Sequence, residues 1–273
     1  MHCAYWRLTH DPFLAIGAHH AWFPAGDHDE ALSRMLYAVE RSHRCGMIWG
    51  DTGLGKSRLL QEIGRQTKRP STRVVYIDLT GLDRIELAIA LANGCGAGFD
   101  ATVSAAAAWV FLEDWLRGRA AVTGHVVWLL DNVDTTAESV EPDVLRLARL
   151  AERTHTVSTM ILAMQRPGLT EQLHSFADFV VELTPWSHDE SREFVTRLLT
   201  STDGSPDLFT EGAWEILCDA GNGYPLRLMR IAEVALVAGC ALEASHLDAD
   251  ILAAVVHQLG WARTKSRAML PVA

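Results

Sequence analysis

The chain has 273 residues, 49% of them hydrophobic and 21% charged, which is typical of a soluble globular protein with one large domain or a domain and a smaller appendage. The formal net charge of −10 argues against a broad nucleic-acid-binding surface, because phosphate binding needs clustered lysines and arginines. No stretch has the roughly 18 to 20 apolar residues of a membrane span and no export signal is recognisable, so we expect a cytoplasmic protein.

Strands and helices are predicted to alternate up to about residue 185. Several prolines and glycines make residues 1–28 irregular in this prediction, and a helix follows over 28–42, with Asp27 as its N-cap. The strands are predicted at 45–49, 73–80, 125–134, 156–164 and 179–184. The later helices are predicted at 56–66, 83–93, 103–118 and 141–153. Because the strands are apolar on both faces, we expect a five-stranded, mainly parallel sheet covered by helices on both faces.

After Pro185 the pattern becomes helical throughout. Four helices are predicted, at 187–200, 210–220, 225–238 and 247–259. The sequence therefore predicts four parts: an N-terminal segment with the first helix (1–40), an α/β domain (41–185), a helical lid domain (186–262) and a flexible tail (263–273).

A glycine-rich loop joins the first predicted strand to the next helix. Residues 50–57 fit the P-loop pattern G-x-x-x-x-G-K-[ST], in the strand-to-helix context that this motif requires. Glycines let successive backbone N–H groups turn towards phosphate oxygens, and the helix N-terminus adds the positive end of its dipole. Lys56 is expected to contact the β- and γ-phosphates and to act in catalysis, and Ser57 to ligate Mg²⁺. The predicted nucleotide-binding residues of this region are Gly50, Asp51, Thr52, Gly53, Leu54, Gly55, Lys56, Ser57 and Arg58.

The strand predicted at 125–134 supplies the second half of the site. An acidic residue at the end of such a strand holds Mg²⁺ opposite the P-loop in P-loop NTPases, and Asp131 fits that role. Asn132 follows, and its amide can hold a water but cannot accept a proton from it. Asp134 either takes over this catalytic role or begins the next turn. Gln165, at the end of the next strand, either contacts the γ-phosphate or faces solvent.

The stretch GNGYPLRLMRI, residues 221–231, offers candidates in the helical part. Pro225 opens a helix there. Arg227 or Arg230 either reaches the nucleotide from the lid or lies on a solvated helix face.

In this order the motifs resemble the ExeA/GspA-type AAA ATPases, over nearly the whole chain. The resemblance is carried by YWRLTHDPF (5–13), HDEALSRMLYAVE (28–40), the P-loop, the strand at 125–134, ILAMQRPGLTEQL (161–173), LFTEGAWEIL (208–217) and GNGYPLRLM (221–229). It implies ATP and Mg²⁺ as ligands and a helical lid that responds to the nucleotide. It also implies that Phe13 and Pro225 pack on the adenine.

Three departures from that family are visible. Asn132 stands where the family has a glutamate. Residues 174–183 lack the arginine that the family uses to reach a neighbouring subunit's nucleotide. The Gly-x-Pro-Arg turn becomes Gly-Tyr-Pro-Leu at 223–226, with Arg227 displaced by one position. This turn is similar to the Gly-Leu-Pro-Leu turn of the STAND signalling ATPases, which are nucleotide switches.

The leading hypothesis is an ATP- and Mg²⁺-binding AAA-type ATPase that hydrolyses slowly and acts as a nucleotide-dependent switch or assembly factor, with a protein partner or by self-assembly. No guanine-reading Asn-Lys-x-Asp stretch is present, which favours ATP and ADP. One alternative is an ATP-dependent DNA-associated protein similar to transposition helpers; another is a non-hydrolysing scaffold. The basic residues behind the DNA alternative, which also fit a solvated loop and tail, are Arg65, Lys68, Arg69, Arg73, Arg263, Lys265 and Arg267.

The five cysteines include no C-x-x-C pair, which favours reduced, mostly buried thiols. His2 stands beside Cys3, and His19 beside His20. No ligand spacing fits a zinc site, and we expect none.

Overall fold

The chain forms two compact units, and each contains part of the N-terminal region. The computed structural model describes residues 2–13, 22–23, 25–136, 140–165 and 171–261. An α/β unit lies within residues 24–184, and a helical unit combines the stretch 1–23 with residues from Pro185 onward. The predicted tail 263–273, the pair His19-His20 and part of the stretch 161–173 lie outside the described residues.

The predicted helices and strands follow one another in the predicted order, and two short helices that were not predicted, His2–Tyr5 and Glu171–Phe176, are also present. The helices are His2–Tyr5 (α1), Gly26–Glu40 (α2), Lys56–Gln66 (α3), Arg84–Gly94 (α4), Ala105–Ala121 (α5), Glu141–Arg153 (α6), Glu171–Phe176 (α7), His188–Thr200 (α8), Glu211–Gly221 (α9), Pro225–Ala241 (α10) and Ala249–Gln258 (α11), with a 3₁₀ turn at Pro206–Leu208. The strands are Cys45–Trp49 (β1), Thr72–Asp78 (β2), His125–Asp131 (β3), Val157–Met164 (β4) and Phe179–Glu182 (β5). Among the described residues, no helix is both long and apolar enough to cross a bilayer.

Two expectations about the N-terminal region are wrong. Residues 1–28 are not irregular throughout, because they contain α1 and the start of α2. α2 begins at Gly26 after Ala25, so Asp27 is not its N-cap. The Asp27 carboxylate instead accepts a hydrogen bond from the hydroxyl of Thr184, next to the end of β5.

The α/β unit is built on a five-stranded sheet of order β2-β3-β4-β1-β5, in which every strand pair is parallel. β3 and β4 are buried along almost their whole length, since both are runs of apolar residues. Parallel strands need crossover connections, and the helices between them supply these and cover the sheet. The predicted fold class, a parallel sheet with flanking helices and a helical C-terminal region, is confirmed.

The two faces of the sheet pack against different helices. On one face, Val75 and Trp128 belong to the core that α4, α5 and α6 cover. α3 packs on the opposite face: a Cβ added to Gly64 would lie 3.0 Å from Leu129 Cδ1. Leu129 precedes Asp131 by two residues on β3, and alternate residues of a strand share a face. α3 therefore covers the face on which Asp131 projects.

The helical unit packs α8 to α11 around a core of its own. The N-terminal segment joins this core through Trp6, the residue that follows α1, whose indole Nε1 donates to the carbonyl of Leu236 at 2.8 Å. The segment 1–40, predicted as one stretch, is thus divided, with α1 in the helical unit and α2 in the α/β unit.

Candidate nucleotide-binding site

The P-loop curls between β1 and α3 because glycine occupies its two ends. Gly50 has φ +152° and Gly55 has φ +93°, a region that residues with a Cβ rarely adopt. A Cβ at Gly50 would also lie 3.0 Å from the carbonyl oxygen of Leu183. Gly55 is the N-cap of α3, and no side chain caps that first turn. The first amides of α3 are therefore presented at an uncapped helix N-terminus, which favours an anion.

Lys56 is the buried cation of the loop, with only 6% of its surface exposed. Its ammonium donates to the carbonyl of Gly50 at 2.6 Å and to that of Asp51 at 2.9 Å. Burial lowers the pKa of Lys56, and the negative charges of Asp134, Asp131 and Asp51 oppose that shift. The ammonium thus lies within the electric field of the carboxylate at the end of β3.

The other P-loop residues differ in exposure. Asp51 and Thr52 are exposed, Gly53 and Ser57 are partly buried, and Leu54 is 1% exposed. Ser57 lies in the first turn of α3 beside Lys56, and the guanidinium of Arg58 is 3.5 Å from Gln61 Oε1.

His28 contacts the P-loop, and no motif predicts it. Its Nε2 donates to the carbonyl of Leu54 at 2.5 Å, and the imidazole is 2% exposed. A Cβ at Gly55 would lie 3.6 Å from the same nitrogen. His28 precedes the apolar positions Ala31 and Leu32 by one helical turn. Residues with this spacing share one face of a helix, so the pattern of α2 indicates that the His28 side chain faces inward.

Asp131 ends β3 as a buried carboxylate, 1% exposed. Its Oδ2 accepts from the hydroxyl of Tyr76 at 2.8 Å, and its Oδ1 accepts from the backbone N–H of Asn132 at 3.0 Å. Burial, together with the neighbouring Asp131 carboxylate, raises the pKa of Tyr76, so its phenol stays protonated and remains a donor. Tyr76 is not among the predicted site residues, because its contact with Asp131 joins two strands that are far apart in the sequence.

Asn132 directs its amide at a second carboxylate. It has φ +55°, and its Nδ2 donates to Asp78 Oδ1 at 3.0 Å. Asp78 is the residue of β2 that pairs with Asp131 of β3. Partial desolvation pushes the pKa of Asp78 upwards, but hydrogen bonds from Asn132 and Thr80 outweigh it, so the pKa is lowered and the carboxylate is ionised near neutral pH.

Asp134 and Gln165 contact each other rather than Asn132. The backbone N–H of Gln165, just after β4, donates to Asp134 Oδ2 at 2.9 Å. Asp134 lies in the turn after β3 and is exposed. This contact supports the interpretation of Asp134 as a turn residue; catalytic roles for Asp134 and Gln165 stay predictions.

These residues fit a magnesium-bound triphosphate. Mg²⁺ prefers oxygen ligands and is commonly bound by one or two carboxylates together with phosphates and waters. Asp131 offers a buried carboxylate on the face that α3 covers, and Ser57 offers a hydroxyl in the first turn of that helix. Lys56, which binds backbone carbonyls, supplies the positive charge that the phosphates require.

The remaining predicted residues belong to the helical unit. Phe13 is 1% exposed within the core of that unit, and its backbone N–H donates to Asp11 Oδ1 at 2.9 Å. Pro225 is the first residue of α10 and is buried. The guanidinium of Arg227 lies over the ring of Tyr224, 4.7 Å from its centre. Their roles at a nucleotide stay predictions.

The sheet order, the curled loop and the carboxylate of β3 define the chain's class, a P-loop NTPase fold. Residues 39–173 match the family model of an AAA domain, and this stretch lies within the α/β unit. No curated protein sequence gives a significant match.

Several solved structures share this fold at low sequence identity. Cdc6p from Pyrobaculum aerophilum has a TM-score of 0.74 and 14% identity, covering 88% of this chain and 68% of that chain. Drosophila ORC bound to DNA has a TM-score of 0.70 and 15% identity, covering 91% of this chain and 65% of that chain. The Thermotoga maritima RuvB Holliday junction branch migration motor has a TM-score of 0.60 and 19% identity, covering 85% of this chain and 68% of that chain. This chain thus spans about two thirds of each, and the matches show that it shares their fold, whereas the ExeA/GspA type and its lid turn stay predictions.

Proposed function

We propose that this protein binds Mg·ATP at the P-loop of its α/β unit, hydrolyses it slowly, and acts as a nucleotide-dependent switch or assembly factor. The observation that carries the proposal is the burial of Lys56 next to the uncapped N-terminus of α3, within the field of the buried Asp131 carboxylate. A buried charge is costly unless a partner compensates it, and a phosphate–magnesium pair compensates both signs at once.

Each residue has a separate task in this proposal. The amides of residues 50–57 hold the phosphate oxygens, and Lys56 moves from the loop carbonyls to the β- and γ-phosphates. Ser57 and Asp131 hold the metal, with Tyr76 orienting the Asp131 carboxylate. Mg²⁺, when bound, neutralises charge on the phosphate oxygens.

Slow turnover follows from two features of the sequence. Asn132 occupies the position after the magnesium aspartate, and an amide cannot take a proton from water. Residues 174–183 contain no arginine that could reach a neighbouring subunit's nucleotide. An arginine supplied in trans is worth about 10³–10⁵ in rate, so its absence alone would keep turnover low.

Equilibrium binding of a fluorescent ATP analogue, with Mg²⁺ present, tests the proposal. Lys56→Ala is expected to weaken binding by about 10- to 100-fold, because a hydrogen bond to a charged group contributes about 1.5–3 kcal/mol. Lys68→Ala is the matched control, since Lys68 is an exposed lysine just beyond α3 and is expected to leave affinity unchanged. Equal binding by the wild type and Lys56→Ala would refute the proposal.

A DNA-associated function is the second candidate, favoured by the likeness to an ORC structure described as bound to DNA. Two of the four loop cations already have partners within the chain: Arg65 binds Glu62, and Arg73 donates to the carbonyl of Gly94. Lys68 and Arg69 remain exposed. ATP-dependent retention on DNA with a steep salt dependence would favour this candidate, whereas nucleotide that co-purifies without turnover would favour the scaffold.

A further inference from the structure

The ends of β2 and β3 bring two carboxylates to one edge and one face of the sheet. Asp78 pairs with Asp131 in register, and neighbouring parallel strands lie about 4.8 Å apart. α3 covers this face over both strands, since a Cβ on Gly64 would lie 3.0 Å from Leu129 Cδ1 and 3.4 Å from Val74 Cγ1. Asp78 therefore stands beside the candidate metal carboxylate, on the side of the sheet from which the P-loop helix begins.

The two carboxylates differ in how their oxygens are used. Both oxygens of Asp131 accept hydrogen bonds, and its side chain is buried. In the described part of the chain, the hydrogen bonds given to Asp78 all end on Oδ1: from Asn132 Nδ2 at 3.0 Å, from Thr80 N at 3.0 Å and from Thr80 Oγ1 at 2.7 Å. Asp78 is exposed, and none of these hydrogen bonds uses its Oδ2.

We propose that Asp78 supplies the proton-accepting carboxylate that Asn132 cannot, and that Asn132 holds Asp78 in place for this task. The inference rests on the proposed ATP hydrolysis and names its base, so that the slow turnover then rests on the missing arginine alone. Asn132 occupies the position where the water-orienting group is expected, and its amide bridges from there to Asp78. In this chain the carboxylate thus lies on the neighbouring strand β2, and one hydrogen bond joins it to the residue at the expected position, Asn132.

The step balances as a hydrolysis of the terminal phosphoanhydride. The water oxygen forms a bond to the γ-phosphorus, and the bond from that phosphorus to the bridging oxygen breaks, leaving its electron pair on ADP. One water proton remains on the phosphate product. The other passes to Asp78 Oδ2 and from there to solvent, which restores the carboxylate.

A competing role for Asp78 is to close a turn with Thr80. Asp100 provides a matched control, because it accepts from Thr102 N at 2.9 Å and from Thr102 Oγ1 at 2.6 Å in the same turn pattern, and it is likewise exposed. A purely structural role would make Asp78→Asn and Asp100→Asn behave alike.

The test measures ATP affinity and turnover of the full chain with Mg·ATP. Asp78→Asn is expected to lower kcat by about 100-fold with ATP affinity within about twofold, because a general base contributes about 10²–10⁴ in rate. Asp100→Asn is expected to keep both values. The exchanged pair Asp78→Asn with Asn132→Asp is expected to recover at least about tenfold of the lost kcat, because a carboxylate again faces the water.

The outcomes separate this inference from the proposed function. Undiminished turnover in Asp78→Asn, or no recovery in the exchanged pair, overturns the role of Asp78. Wild-type protein that binds ATP but turns over no faster than Lys56→Ala also overturns it, while leaving nucleotide binding intact. Should Asp78→Asn unfold, Asp78→Glu is the second variant, since it keeps the carboxylate. A folded Asp78→Glu whose kcat falls by about 100-fold, the loss expected when the base is removed, overturns the role as well.

Discussion

The α/β unit and the helical unit differ in the polar groups that they bury. Among the described residues, the buried lysine, histidine and acidic side chains all lie in the α/β unit: His28, Lys56, Glu62, Asp131, Glu141 and Asp143. The buried polar residues described in the helical unit are Ser191 and Thr202, whose hydroxyls donate to backbone carbonyls at 2.7 and 2.8 Å. The helical unit thus buries small neutral groups that the chain itself satisfies.

Within the α/β unit, two kinds of buried charge can be distinguished. Glu62 and Asp143 form ion pairs with Arg65 and Arg84, so their charges are compensated within the chain. In the described part of the chain, Lys56 and Asp131 form no ion pair and bind carbonyl, hydroxyl and amide groups instead. Burying a charge without an opposite one costs several kcal/mol. The proposed Mg·ATP, a ligand of mixed charge, would compensate both of these charges.

The largest expected effect is a loss of stability in the helical unit. Trp6→Ala should destabilise that unit by about 3–5 kcal/mol, because it removes a buried indole and its bond to Leu236. Hydrogen exchange resolved along the chain is expected to show faster exchange in α10, with β3 unchanged. The exposed neighbour Tyr5→Ala is the control, and equal losses of protection in both variants would contradict the assignment of Trp6 to the core.

Asp131→Asn should lower turnover without lowering the stability of the fold. Turnover with Mg·ATP is expected to fall by about 100-fold, equivalent to about 2.7 kcal/mol, while the melting temperature stays within a few degrees. Asp143→Asn should do the reverse, because it leaves Arg84 without its partner: stability falls by about 1–3 kcal/mol and turnover is kept. If both variants lost stability and turnover together, the distinction between the two kinds of buried charge would be wrong.

His28→Ala should loosen the P-loop. Loss of the bond to the Leu54 carbonyl is worth about 1 kcal/mol, so ATP affinity is expected to fall about fivefold. Calorimetric titration measures it, with His257→Ala, an exposed histidine of α11, as the control. Unchanged affinity in His28→Ala would show that the loop holds its shape without the imidazole.

Tyr76→Phe is expected to have the smallest effect. It removes one neutral donor from Asp131, and turnover should fall about threefold, since such a bond contributes about 0.5–1.5 kcal/mol. Steady-state turnover at saturating Mg·ATP measures this. A loss as large as that of Asp131→Asn would mean that the phenol takes part in the chemistry directly.

The sequence predicted best those features that depend on neighbours along the chain. The P-loop needs one strand, a few glycines and one helix, and Asp131 ends an unbroken apolar run, so local patterns were sufficient for both. The contact of Asn132 with Asp78 joins residues 54 positions apart on two strands, and only the strand order brings them together. The N-terminal segment belongs to the helical unit through the contact of Trp6 with Leu236 across 230 positions, which no local pattern contains.

Hydrogen exchange along the P-loop, with and without Mg·ATP, tests most directly whether Lys56 and Asp131 are buried for a nucleotide. We predict that Mg·ATP slows exchange in residues 50–58 by at least about tenfold, since a ligand at ten times its Kd suppresses opening by that factor, and that Lys56→Ala loses this protection. Protection that appears only elsewhere, or that is the same in Lys56→Ala, would contradict the account.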